Sequence, residues 1–235
     1  MPAIALKDLV TDSIEFFNDE VVKRHKANIR KLEHLDEFAI NPFTLRYLAE
    51  TSLSGQTATH VAEVLVRTRI NGSSISTTFA TLMPKFAKEV LGAKAHRKDG
   101  LSVHFQDAID GARRYAWIAG GPNNLNVPNA HLRIAKFQAA EIALKASGDI
   151  SSDKQISAGV IYGTSSDLNN GFTTLKAEYP VHVGAEFWHR LSGYPDFYDQ
   201  FLKGIRREVA GTSNEPLIKA TIAKLAVELS RKAVY

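Results

Sequence analysis

The sequence predicts an α/β fold, a sheet decorated by helices and preceded by a mainly helical stretch. Three observations predict it. Apolar residues recur at helical spacing through roughly the first ninety positions, and the period then changes to two around Val103 and Phe105 and again across Tyr115, Trp117 and Ala119. Between those runs Asp110-Gly111 is a strong hairpin signal, and after Gly120-Gly121-Pro122 helical periodicity returns, interrupted by short apolar runs at 156–162 and 181–183 that suit strands.

Taken in order, Leu9, Ile14, Phe17, Val21 and Val22 place one or two helices between Leu6 and about Leu35. Asn41-Pro42 opens a further helix through Leu45 and Leu48, and another runs from Thr57 to Arg69. Asn71-Gly72-Ser73-Ser74 breaks the pattern; Ser76, Thr77 and Thr78 are N-cap candidates for a helix from Phe79 to about Val90, ended by Gly92. The hairpin follows, then a helix over His131–Ala146, a strand over Ile156–Tyr162 and a strand over Val181–Val183. An aromatic helix at Glu186–Leu191, a helix near Asp196–Val209 and an amphipathic tail helix from Pro216 to Val234 complete the chain. No internal repeat or separating linker is visible, so a single domain over 1–235 is expected. Its parts are a helical region 1–93, an α/β core 94–210 and a C-terminal helix 211–235.

Hydrophobic residues at 44% and charged residues at 23% are ordinary globular usage, which argues against disorder and fibrous classes. The absence of cysteine removes disulfides, thiolate metal sites and a cysteine nucleophile, and is compatible with a reducing cytoplasm, the expected location. No stretch approaches the ~18 apolar residues of a membrane span, and no secretory leader pattern is seen. The formal net charge of +4 suits a polyanionic partner without requiring one.

Chemistry concentrates in residues 103–126. A strand pair joined by a tight turn holds side chains of one strand beside alternate residues of the next. Phosphodiester hydrolysis benefits from that layout: carboxylates hold a divalent metal, and a nearby lysine orients water and stabilises developing charge. Taken alone, Asp107 and Asp110 read more simply as turn residues.

Ile118-Ala119-Gly120-Gly121-Pro122-Asn123-Asn124-Leu125-Asn126 resembles the Ile-Lys-(Ala/Ser)-Gly-Pro-Asn-Thr-Ile-Asn signature of type II restriction endonucleases in the PD-(D/E)XK superfamily, with the lysine replaced by Ala119. Four further elements keep the order of those enzymes. Asn41-Pro42-Phe43 resembles an early Ile-Asn-Pro-Phe element. The run from Gly72 to Phe79 is similar to a Gly-x-x-x-(Ser/Thr)-x-Phe-Gly turn, with Ala80 for the second glycine. Gly159–Gly163 matches Gly-Val-x-Tyr-Gly, and Gly184 to Tyr198 resembles closing Gly-x-Glu-Phe-Trp and Ser-Gly-x-x-x-Phe-Tyr elements. The nearest resemblance is to the subgroup that reads GGNCC-like sites, including RGGNCCY.

The resemblance implies a nuclease-like mixed sheet flanked by helices, Mg²⁺, double-stranded DNA as partner and a homodimer on a short palindromic site. It puts Trp117 in the acid slot and Ala119 in the lysine slot of the acid-x-lysine strand, with residue 119 ending a strand whose exposed side lies against a scissile phosphate. The printed form is therefore expected not to cut, and an introduced Lys-to-Ala change is the expected origin of Ala119. Asp107 is the nearest acid for the metal, together with the Ile118 carbonyl. Simple antiparallel pairing, however, sets Ala119 opposite residues 100–103, so Ser102 and His104 are the alternative positions. Asn123, Asn124 and Asn126 are candidates for DNA contacts, weighed equally against a turn role, and Arg113, Arg114 and Lys136 are phosphate candidates. Glu63 and Glu141 are remote candidates for a second carboxylate, and Phe187, Trp188, Phe197 and Tyr198 read as packing. Two rivals stay open: a non-catalytic DNA-binding protein of the same fold, and a helical interaction protein, which would lack salt-dependent binding to duplex DNA.

Overall fold

A computed structural model describes residues 4–53, 57–71, 75–96 and 99–232. Its helices are α1 (Leu6–Phe16), α2 (Lys23–Lys31), α3 (Pro42–Leu53), α4 (Ala58–Arg69), α5 (Ile75–Glu89), α6 (Val127–Ala146), α7 (Asn170–Lys176), α8 (Ala185–Ser192), α9 (Phe197–Val209) and α10 (Glu215–Lys232). The strands are β1 (Lys94–Ala95), β2 (Val103–Gln106), β3 (Arg113–Ala119), β4 (Ile156–Val160) and β5 (Val181–Val183). The α/β class expected from the sequence is the fold observed. Among the described residues no helix is long and apolar enough to cross a membrane.

The chain folds into two compact units, residues 1–17 with 79–208, and residues 18–78 with 209–235. The helices before residue 93 thus do not form one region. In the second unit the apolar face of α10 (Ile222, Leu225, Ala226, Leu229) buries with Val61, Val66 and Ile29 of α4 and α2. Arg67 grips Glu215 at 2.7 Å and Glu63 at 2.7 Å, and the Leu35 amide donates to Glu228 at 2.8 Å. Thr57 caps α4 by accepting from the His60 amide. Burial of this amphipathic face pairs the chain's last helix with helices near its start, an association with no local signature in the sequence.

The first unit carries a five-stranded sheet in the order β1-β2-β3-β4-β5. β1–β2 and β2–β3 are antiparallel; β3–β4 and β4–β5 are parallel, the connections running through α6 and α7. The hairpin closes where expected, with Gly111 at φ 72° and the Asp107 amide donating to the Ala112 carbonyl at 2.8 Å.

Strand alternation divides this sheet into two faces. Tyr115 and Ala119 of β3, Ile156, Ala158 and Val160 of β4, and Val181 and Val183 of β5 share one apolar cluster with Phe137 and Ala140 of α6 and Phe172 and Leu175 of α7. On the other face Gly159 approaches α8 so closely that a Cβ there would meet the Phe187 ring at 2.1 Å, and Trp188 Nε1 donates to the Ile161 carbonyl at 2.7 Å. Trp188, Phe86, Phe197 and Phe201 pack as a run of aromatic contacts 5.5–5.9 Å apart.

Four elements depart from the sequence reading. α5 begins at Ile75, so Ser76, Thr77 and Thr78 lie inside its first turns instead of preceding it; Gly72, Ser73 and Ser74 lie outside the described residues. α6 starts four residues before His131, because Asn126 accepts from the Asn129 amide at 2.9 Å and Pro128 fits the first turn. The short β1 and α7 were not expected: a two-residue strand has no period, and α7 spans only seven residues.

Candidate functional site

The site is built on β3, whose two faces hold different chemistry. Toward α8, Asp107 is 1% exposed. Its carboxylate accepts from Arg114 Nε, from Arg190 Nη1 at 2.7 Å and from the Ile109 amide at 2.9 Å. Burial would raise the Asp107 pKa, but the hydrogen bonds from Arg114, Ile109 and Arg190 outweigh it and hold the carboxyl below its ordinary value. Arg114 also binds Asp110 and the Lys154 carbonyl. Arg190 Nε reaches Glu186 at 3.0 Å, which meets His182 Nδ1 at 3.0 Å. Glu186 is lowered in the same way: burial opposes ionisation, while Arg190 and His182 favour it.

This placement corrects the expected role of Asp107. Its sealed carboxylate already accepts from two guanidinium groups and an amide, and it sits at the turn end of β3, while Ala119 ends the opposite end of the strand. Arg114, an expected phosphate contact, is 7% exposed and locked in the same network, so its guanidinium is turned away from solvent. Arg113 is exposed and lies 3.6 Å from Asp149.

The pairing Val103↔Ala116 carries the register back as anticipated. Ser102 lies beside β3, its amide donating to the Ala116 carbonyl at 2.8 Å and its Oγ accepting from the Ile118 amide at 3.2 Å. Ser102 is thus tied to β3 by its amide at Ala116 and by its hydroxyl at Ile118. His104 pairs with Tyr115 and stacks on its ring with centroids 5.2 Å apart; burial and the neighbouring His96 lower its pKa.

Toward α6 and α7, the position expected to face a phosphate does not. Ala119 is 2% exposed and packs in the apolar cluster with Leu125, Val160 and Phe172, because it points to the side covered by α6 and α7. Its neighbour two residues back, Trp117, is only partly buried. The Arg133 guanidinium of α6 lies over the Trp117 ring, 4.0 Å from its centroid, and Phe172 stacks on that ring at 6.1 Å. Arg133 Nη1 donates to the Gly100 carbonyl at 2.7 Å, and the Lys136 stem flanks Gly100. Arg133 escaped the sequence reading because helical periodicity does not say which turn of α6 overhangs β3.

The loop after β3 is tightly fitted. A Cβ on Gly120 would meet Ala80 at 2.5 Å, and one on Gly121 the Tyr162 hydroxyl at 2.4 Å. Asn123 and Asn124 are exposed; Asn126 caps α6, the turn role that was weighed against a DNA contact. Glu141 accepts from the Tyr179 hydroxyl at 2.9 Å and pairs with Lys145, while Glu63 serves Arg67 in the other unit; neither carboxylate joins β3.

The donor set does not fit a divalent metal. Among the described residues no three His, Asp or Glu side chains converge on one point. The strand positions that would carry acids hold a serine bonded to backbone and a tryptophan covered by a cation.

A family model described as Type II restriction endonuclease EcoO109I matches residues 9–212. No curated protein matches the chain.

Proposed function

We propose a function from the premise that this chain belongs to the type II restriction endonuclease EcoO109I family: it binds double-stranded DNA at a short palindromic site, as a homodimer, and in its printed form does not hydrolyse it. Enzymes of that family act on double-stranded DNA and generally use a divalent metal. Mg²⁺ is the ion expected for a form whose strand acids and lysine are restored.

One observation carries the loss of hydrolysis. At the end of β3 the acid and lysine slots are Trp117 and Ala119, and the facing position on the β2 side is Ser102. Three altered positions together favour a natural lineage that binds without cutting over a single introduced substitution. Binding is supported by the family, by the net charge of +4, and by exposed Asn123 and Asn124 in the loop after β3.

The GGNCC-like resemblance supplies the probe. A duplex bearing an RGGNCCY site is expected to be retained in a gel shift at least tenfold more tightly than a scrambled duplex, with affinity falling steeply as salt rises. Equal, salt-insensitive retention of both would overturn the reading and favour an interaction protein.

A further inference from the structure

Arg133 is the cation of the β3 site that the catalytic reading leaves without a use. Its guanidinium is partly buried, braced by the Trp117 ring at 4.0 Å and by the Gly100 carbonyl at 2.7 Å. Among the described residues no carboxylate pairs with it, and burial alone lowers its pKa. A guanidinium drawn partly out of water with no counter-charge is unfavourable, and an anion relieves it. One Nη1 hydrogen is used by Gly100, and among the described residues the other N–H donors have no acceptor. The Lys136 stem also flanks Gly100.

We propose that Arg133, positioned by Trp117 and Gly100, is a DNA phosphate-binding residue that occupies the place of the metal centre, so that duplex binding by this chain is independent of divalent metal. This rests on the DNA-binding reading above. The charge logic is one of exchange. Where the resemblance implies acids that hold a divalent cation against a phosphate, this chain sets an aromatic face that holds a guanidinium. A guanidinium meets a phosphate through paired N–H donors and contributes positive charge. It has no coordination sphere in which to ionise a water, so attraction to the phosphate persists while hydrolysis does not.

The test uses the full chain and a short duplex carrying an RGGNCCY site, with affinity measured across a salt series in EDTA and again with Ca²⁺. Wild-type affinity is expected to be the same in both. Arg133→Gln is expected to weaken binding about tenfold and to reduce the slope of log affinity against log salt by about 0.9, one phosphate contact. Arg133→Lys should keep the slope and lose part of the affinity, a pattern that a merely structural role, read by thermal unfolding of each variant, would not produce. Two results overturn the proposal alone: Arg133→Gln binding with wild-type affinity and slope, or wild-type affinity rising tenfold or more on adding Ca²⁺. The Ca²⁺ comparison needs no variant to fold. Failure of the wild type to bind duplex at all overturns the DNA-binding reading, and this proposal with it.

Discussion

The two faces of β3 treat charge in opposite ways. On the side of α8, Asp107, Asp110 and Glu186 are met by Arg114, Arg190 and His182, so each charge is answered inside the fold. On the side of α6, Arg133 stands over Trp117 with a backbone carbonyl as its only described hydrogen-bond partner. The closed network around Asp107 fixes the hairpin to α8, whereas Arg133 has donors with no described partner. On this account Asp107 braces the hairpin, and the proposed phosphate contact is an arginine that no motif marks.

The largest effect expected on this contrast comes from Asp107→Ala. It removes the sealed acceptor that Arg114 and Arg190 share and leaves them only the more exposed Asp110 and Glu186, so a loss of about 3 kcal/mol is predicted in denaturant unfolding. A loss under ~1 kcal/mol would mean the corner is not the closed network described, and would free Asp107 for a ligand role.

Ala119→Lys comes next. Overpacking the cluster around Leu125, Val160 and Phe172 should cost ~1–3 kcal/mol before any charge is considered. Adding Trp117→Glu is expected to recover part of that loss through the new acid on the same face, a favourable coupling in a double-mutant cycle. Lysine tolerated at 119 without loss of stability would show that the position opens to solvent after all.

Acid brings out the smallest difference. Asp107 and Glu186 titrate below their ordinary values in the folded chain, so between folded and unfolded values the unfolded chain binds more protons. Their stabilisation is complete above the unfolded values near ~4 and drains as pH falls through the lower folded ones. Unfolding free energy followed from pH 5 downward should decline, and Asp107→Asn should flatten that decline. An unchanged slope in the variant would remove Asp107 from the explanation.

How much of this was legible in the sequence depended on whether the signal was local. The hairpin was readable because Asp110-Gly111 and the alternation on either side are short-range signals, and α4 was readable to within a residue from Thr57 and its apolar spacing. Register was readable too: counting back from the turn sets Ala119 opposite residues 100–103, and the pairing Val103↔Ala116 agrees. What spacing does not encode is how far along β3 each face is covered. Ala119 and Trp117 share parity, yet Ala119 is sealed by Leu125 and Phe172 while Trp117 stays partly open under Arg133. That outcome depends on where α6 and α7 cross the sheet, and so do the partners of Asp107, since Arg190 lies 83 residues away in the chain. The joining of α10 to α4 and α2 was hidden for the same reason.

The most direct trial of the account is to mix the full chain with a duplex carrying an RGGNCCY site in the presence of Mg²⁺ and then resolve the DNA after removing the protein. The account predicts a retained complex that releases intact duplex. Discrete fragments cut at that site would contradict it, because they would require a working metal centre where Ser102, Trp117 and Ala119 now stand.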